Sequence, residues 1–370
     1  MLAKYFFKKI FKEHYSTVNK EKCINYRSQK SPCSRCADHC PQGAIAISGK
    51  GVVIEESSCR GCGICGVQCP TDGIDTMEFS EEKNIKAIQK KSRVLIGCME
   101  EKSEGNISYP CLNGLSPEYL SLVLLLAPDK SLEFNRAPCS KCEIPKEHQI
   151  FYESLKIAED LLCSLNLEPN TKVINAAEEL PEEPEERMSR RALFEEMKNG
   201  SLNLGMDMAR DTLSHGDEVF PLRELLIKNL CLLEKKSPEI MDVEITTPLF
   251  TAWQVGDTCD GCGICTSVCP SQALELTRDR KEVRLLYRSS LCTNCKLCSQ
   301  VCPKVAMKWA PIKLNHLKEE ILLKKMDLIP CPGCRQAKVV QRDSIKKPPL
   351  CKSCEKRENM KKSLRRVKNQ

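Results

Sequence analysis

The sequence is poor in the residues that most enzymes place at their centres. Only five histidines occur in 370 residues, aromatic side chains make up 5%, and no constellation of acid, base and nucleophile stands out. No G-x-G-x-x-G directly follows a strand signal, the one such spelling (61–66) lying inside a cysteine motif, and there is no P-loop, so nothing supports a flavin, nicotinamide or nucleotide site. The longest apolar run, LVLLLA at 122–127, falls far short of the roughly 20 residues that span a bilayer. The N-terminus, MLAKYFFKKIFKEHYS, has lysines at 4, 8, 9 and 12 and lacks the uninterrupted apolar stretch of a secretory signal. A soluble, cytoplasmic protein is the expectation. Segment 1–22 reads as amphipathic, suited to docking on a partner or on the protein's own body, and touching a membrane at most peripherally.

What the chain has in abundance is cysteine, 26 in all. In a reducing compartment, regular cysteine spacing signals metal or redox chemistry rather than a disulfide framework. SSCRGCGICGVQCPTDGID (57–75) and DTCDGCGICTSVCPSQALE (257–275) align through every cysteine, and CTNCKLCSQVCP (292–303) repeats the spelling. In C-x2-C-x2-C-x3-C-P, three cysteines in one tight loop face three corners of a cubane, while the fourth turns away to a neighbouring cluster. Glycines at 61, 63, 261 and 263 free the loops to take conformations closed to other residues. By the crossed rule one [4Fe-4S] cluster takes Cys259, Cys262, Cys265 and Cys302, a second Cys292, Cys295, Cys298 and Cys269, and a third Cys59, Cys62, Cys65 and Cys40. Zinc is the alternative, since two C-x2-C pairs can form a zinc site, but zinc sites are not spelled as three even spacings followed by Cys-Pro.

These motifs resemble bacterial-type two-cluster ferredoxin domains, present as two modules at 23–85 and 251–312. The resemblance extends to AIAISGKGVVIEES (44–57) and ALELTRDRKEVRLLYRS (273–289), each read as a β-hairpin. It implies that the hairpins cover the clusters and that short helices follow the Cys-Pro ends. The stretch KSPCSRCADHCP (30–41) departs from the pattern, because Lys30 stands where the first cysteine belongs. Cys33, Cys36 and Cys69 then need a fourth ligand. Cys23 lies seven residues before Lys30, within reach of an extended chain at up to about 3.5 Å per residue. Completion of a fourth cluster by Cys23 is the expectation, against a three-iron cluster or a non-cysteine ligand.

Between 90 and 176, strand and helix signals alternate: strands at 93–98, 106–111, 131–139 and 171–175, helices at 116–127 and 147–165. This predicts a small, mostly parallel α/β domain. Cys98, Cys111 and Cys139 close predicted strands and Cys142 follows, so the four should converge at the sheet's C-terminal edge on an iron–sulfur or zinc centre. The pattern loosely resembles iron–sulfur subunits of hydrogenase and heterodisulfide reductase systems. Cys163 and Cys231 read as core packing. Residues 177–250 read as an acidic linker (177–187) followed by helices at 189–200 and 221–236.

The remainder, 313–370, reads as a helix at 313–327, then CPGC (331–334) and CKSC (351–354), then a basic tail. Two C-x2-C knuckles at this separation spell a zinc ribbon through Cys331, Cys334, Cys351 and Cys354, with rubredoxin-like iron as the other choice. The formal charge of +7 counts thiols as neutral; four clusters and one zinc, each about −2 with its thiolates, bring the loaded chain to roughly −3. The fold class expected is α+β multidomain: two dicluster modules, a central α/β domain and a C-terminal zinc ribbon. The function expected is relay of single electrons between redox partner proteins, with no catalytic centre of its own and a catalytic oxidoreductase subunit as partner. The alternative is a non-catalytic protein whose clusters and zinc sense redox or iron status, or an assembly factor, possibly acting on nucleic acid, though no aromatics interleave with basic residues to favour the last.

Overall fold

The computed structural model describes residues 15–28, 33–49, 51–76, 81–91, 93–99, 107–142, 144, 149–176, 222–236, 240, 242–335, 337–340 and 350–368. The amphipathic segment up to residue 14, the acidic linker at 177–187 and the helix at 189–200 lie outside them. The chain divides into two compact units, residues 1–250 with 293–295 and 311–318, and residues 251–292 with 296–310 and 319–370.

In the first unit, β1 (Thr17–Val18) pairs antiparallel with β4 (Ile74–Asp75), and β2 (Ile45–Ser48) forms a hairpin with β3 (Gly51–Ile54). Short helices α1 (Ile24–Arg27), α2 (Arg35–Asp38) and α3 (Ile64–Gln68) fill the cysteine loops. After α4 (Glu81–Gln89) come β5 (Arg93–Cys98), β6 (Ile107–Tyr109), β7 (Ser131–Asn135) and β8 (Thr171–Ile174), all parallel, in the order β6-β5-β7-β8. Helix α5 (Pro117–Leu126) begins as its sequence dictates: Pro117 occupies the first turn and Ser116 accepts a hydrogen bond from the Tyr119 amide at 3.1 Å. Every residue from Tyr119 to Leu126 is buried, so α5 is apolar all round because it is covered all round. It packs on α6 (Ile150–Ser164) and α7 (Leu222–Lys236). The buried Glu133 carboxylate on β7 receives both Arg93 Nε (2.8 Å) and Arg93 Nη2 (2.9 Å) from the adjacent β5, a bidentate tie between central strands. Cys163 sits on the exposed face of α6 and is not core packing. The inward stripe of that helix is Ile150, Phe151, Leu155, Ala158 and Leu162, and one residue further on points away.

In the second unit, β9 (Ala252–Val255) pairs with β12 (Met307–Ala310), and the hairpin β10 (Leu274–Arg278) and β11 (Glu282–Arg288) extends into a four-stranded antiparallel sheet with β13 (Glu320–Pro330) and β14 (Ala337–Val340). Helices α8 (Ile264–Val268) and α9 (Leu297–Gln300) lie in the cysteine loops, and α10 (Lys352–Lys368) closes the chain. The helix expected at 313–327 is replaced by a short 3-10 turn at Leu314–Leu317 and then β13, which lies along β11. The register shifts where Leu286 faces Leu322 but Leu285 faces Lys324. That extra residue moves the inward phase from Ile321 and Leu323 to Met326, so the apolar spacing imitates a helix in a strand with a bulge. The helices expected after the Cys-Pro ends instead run up to them: α3 stops at Cys69 and α8 at Cys269, because proline next in line denies the turn an amide donor. Among the described residues no helix is long and apolar enough to cross a membrane.

Candidate metal centres

The four Cys-Pro steps share one local construction. Gly43, Asp72, Gln272 and Val305 stand three residues after Cys40, Cys69, Cys269 and Cys302, and all have left-handed backbone, with φ of 61°, 52°, 54° and 50°. At three of the steps the next amide donates to the cysteine sulfur: Ala44 to Cys40 (3.3 Å), Gly73 to Cys69 (3.1 Å) and Ala306 to Cys302 (3.4 Å). Beside Cys269 the Ser271 hydroxyl lies 3.7 Å from Sγ, as the Thr71 hydroxyl lies 3.6 Å from that of Cys69. Amide donors aimed at sulfur favour a thiolate, the state in which cysteine holds a metal or cluster. In the loops ahead, Gly61, Gly63, Gly261 and Gly263 have φ of 64°, 81°, 65° and 78°, and Asn294 and Lys296 take the same hand at 54° and 61°. The loop after Lys30 differs: Ser34, aligned with Gly63, has φ −119°, so the chain enters α2 along another path.

In the first unit, Cys40, Cys59, Cys62 and Cys65 line one cavity roofed by Ile45 and Ile54 of the hairpin. Burial pushes the Cys62 thiol up to about 11, and repulsion from Cys65, Cys40 and Cys59 adds to it. Beside it, Cys23, Cys36 and Cys69 share a core with Ile45, Val52 and Ile74. Asn25 clamps Cys33 by two bonds, its amide nitrogen donating to the Cys33 carbonyl (2.7 Å) and its carbonyl accepting from the Cys33 N–H (2.9 Å). The Cys23 backbone packs against Gly73, where an added Cβ would meet its Cα at 3.2 Å. Burial drives Cys36 up to about 12, with Cys69 and Cys33 contributing, and raises Cys23 likewise, with the same two cysteines contributing. Cys23 thus lies near Cys69 and Cys33 in a core that holds Cys36 and, from the neighbouring group, Cys65 and Cys40.

In the second unit, burial pushes Cys265 up to about 11 with Cys259, Cys262 and Cys302 adding, and raises Cys259 with Cys262 and Cys302 among its neighbours. Cys269, Cys292 and Cys298 share a core with Trp253, Tyr287 and Met307; Cys295, half-buried, falls with the first unit. The Arg278 guanidinium donates to the Gly261 carbonyl (2.9 Å), tying the glycine loop to the hairpin.

The central cysteines gather at the C-terminal edge of the parallel sheet. Cys98 ends β5 and its thiol donates to the Pro110 carbonyl (3.1 Å). The Cys111 thiol is raised by its bond with Cys98 and then by burial. Burial also raises Cys139, against the pull of Arg136, with Cys98 and Cys142 adding. Cys139 lies in a 3-10 turn (Ala137–Ser140) past the end of β7, which stops at Asn135 rather than running to 139. Arg136 escaped the sequence reading. It is 9% exposed, stacks on Phe151 and Tyr152 at 5.4 and 4.5 Å from their centroids, and its Nη1 makes no hydrogen bond among the described residues. Its one signal was position: a cation just past the sheet edge, three residues before a cysteine.

Near the C-terminus, the sulfurs of Cys331, Cys334, Cys351 and Cys354 all lie within 4.8 Å of one another. A tetrahedral zinc with bonds of about 2.3 Å sets its sulfurs roughly 3.8 Å apart, so the group fits one small ion. The Cys351 amide donates to Cys331 Sγ (3.2 Å), which draws that thiol down to about 6. Gly333 is required here, since a Cβ would approach Cys354 Sγ at 3.0 Å.

Residues 258–306 match the family of 4Fe-4S dicluster domains. Over 57 residues, 15% of this chain, the sequence is 40% identical to a ferredoxin of Methanothermococcus thermolithotrophicus, of which it covers 95%. Over 57 residues it is 37% identical to the pyruvate synthase subunit PorD of Methanothermobacter marburgensis, of which it spans 58%. Through this domain the chain belongs to the 4Fe-4S ferredoxin family, the class of electron carriers.

Proposed function

We propose that the protein is a multi-cluster subunit that relays single electrons between partner proteins in the cytoplasm. In this reading the second module, 251–312, carries two [4Fe-4S] clusters, on Cys259, Cys262, Cys265 and Cys302 and on Cys292, Cys295, Cys298 and Cys269. The first carries two more, on Cys59, Cys62, Cys65 and Cys40 and on Cys23, Cys33, Cys36 and Cys69. Cys98, Cys111, Cys139 and Cys142 hold a further metal centre, and Cys331, Cys334, Cys351 and Cys354 hold zinc.

The observation that carries the reading is the shared Cys-Pro construction: the left-handed residue three places on recurs outside the family-matched segment, at Gly43 and Asp72. The clusters supply reversible one-electron chemistry. The chain's part is to hold them near one another in apolar surroundings and to set their potentials through amide donors. The likeness to PorD supports a catalytic oxidoreductase subunit as the partner. The test is anaerobic purification from iron-replete cells, with iron, zinc and acid-labile sulfide quantified and co-purifying proteins identified. Sixteen or more irons per chain, reversible reduction in several steps and a co-purifying oxidoreductase subunit are expected; a colourless protein without labile sulfide would end the proposal.

A further inference from the structure

Within the first unit, the cavity of Cys40, Cys59, Cys62 and Cys65 and the central cysteine edge meet without a spacer. Ile64, Cys111, Ile144 and Ile150 form one buried core, against which Cys62 and Cys142 pack. Ile64 is fully buried at the start of α3, one residue beyond Gly63. The contact depends on two glycines placed back to back. A Cβ on Gly114 would strike the Cys62 carbonyl oxygen at 2.3 Å, and a Cβ on Gly63 would approach the Gly114 Cα at 3.3 Å. Gly114 ends the 3-10 turn Leu112–Gly114 that follows Cys111, and Asn113 fixes that turn by accepting the Phe151 amide at 3.2 Å from the start of α6. Close approach of this kind between two backbones is what glycine permits and any side chain prevents.

The second observation is Arg136. A guanidinium at 9% exposure with a nitrogen that finds no acceptor among the described residues is costly unless a negative charge completes its surroundings. A thiolate-bound iron–sulfur centre on Cys139 and its neighbours is such a charge, and its reduced form is more negative by one, so a fixed buried cation favours reduction.

The geometry points to a redox-active iron–sulfur centre on Cys98, Cys111, Cys139 and Cys142 that exchanges electrons directly with the cluster of Cys40, Cys59, Cys62 and Cys65 across the Gly63–Gly114 contact. The inference rests on the electron-relay reading for the cluster. In the step itself one electron leaves the reduced cluster and enters the oxidised centre; no bond forms or breaks, and no proton need move. The electron comes from a low-potential one-electron donor protein. The central centre is then a terminus of the first unit's chain of clusters, and Arg136 is a positioning charge that holds its potential up.

The test uses the full-length protein, purified anaerobically and reduced with titanium(III) citrate. Electron paramagnetic resonance is expected to show signals split by interaction between the two centres. Cys142→Ala should remove the central centre, lower the iron content by that centre alone and collapse the splitting. Gly114→Ala should weaken the splitting in the fraction that keeps its full iron content, and Arg136→Leu should move the midpoint potential of the central centre downward while leaving the other clusters in place. Unsplit signals from fully loaded protein overturn the direct contact. Zinc instead of iron on these four cysteines overturns the redox role while leaving the electron-relay reading standing. Absence of labile sulfide from the whole chain overturns that reading instead, and the two failures are told apart by metal and sulfide analysis together.

Discussion

At the scale of single residues, position 23 carries the sharpest consequence. Cys23 reaches its neighbours because Asn25 pins the Cys33 backbone while Gly73 admits the Cys23 backbone beside Cys69. Cys23→Ala is expected to convert one cluster to a three-iron form or remove it, read as a fall in iron content and a new oxidised-state resonance; unchanged iron and spectra would return the fourth ligand to another residue. Lys30→Cys, by contrast, should not restore anything, because Ser34 does not follow the left-handed path of the complete loops. Val305 offers a stability test. A β-branched residue at φ 50° with 77% exposure has no packing to compensate its strain. Val305→Gly should stabilise the loaded protein by about 1 kcal/mol, the left-handed strain relieved exceeding the added chain entropy, measured as a higher unfolding midpoint.

At the scale of elements, the apolar helix α5 is the pivot of the first unit. Leu122 is fully buried, and Leu122→Ala is expected to cost about 2–5 kcal/mol in anaerobic denaturant unfolding. Most elements that place cysteines were legible in the sequence because their signals are local: turn residues in the hairpins, the Ser116-Pro117 start of α5, and the alternation of strand and helix in the α/β sheet. The strand β13 was not. Its bulge shifts the inward phase between Leu323 and Met326, and only pairing with β11 reveals that two half-patterns belong to one strand. Arg136 was hidden for a related reason, since burial of a cation depends on Phe151 and Tyr152, which arrive from a helix fifteen residues later. Pairing of β13 with β14 makes the C-terminal cysteine group an outgrowth of the hairpin sheet. If the proposed zinc is there, a strong chelator should release one zinc per chain while iron in the module at 251–312 is retained at first, read by metal analysis.

At the scale of the whole molecule, charge gives a direct reading of loading. The bare chain, at +7 and an isoelectric point near 8.4, should focus on the basic side of neutrality. With four clusters, the central centre and one zinc the net charge falls to roughly −5, and the same chain focused without oxygen should move to the acidic side. Failure to shift would mean fewer anionic centres than proposed. The strand Glu320–Pro330 connects the C-terminal cysteine group to the glycine loop at 261. Its Met326 lies under Gly261, 3.2 Å from where a Cβ would sit, and four residues after Met326 the strand ends one residue short of Cys331. A change of geometry at Cys331 is therefore carried along one strand, as along a lever, to the glycine loop within the segment that matches the dicluster family.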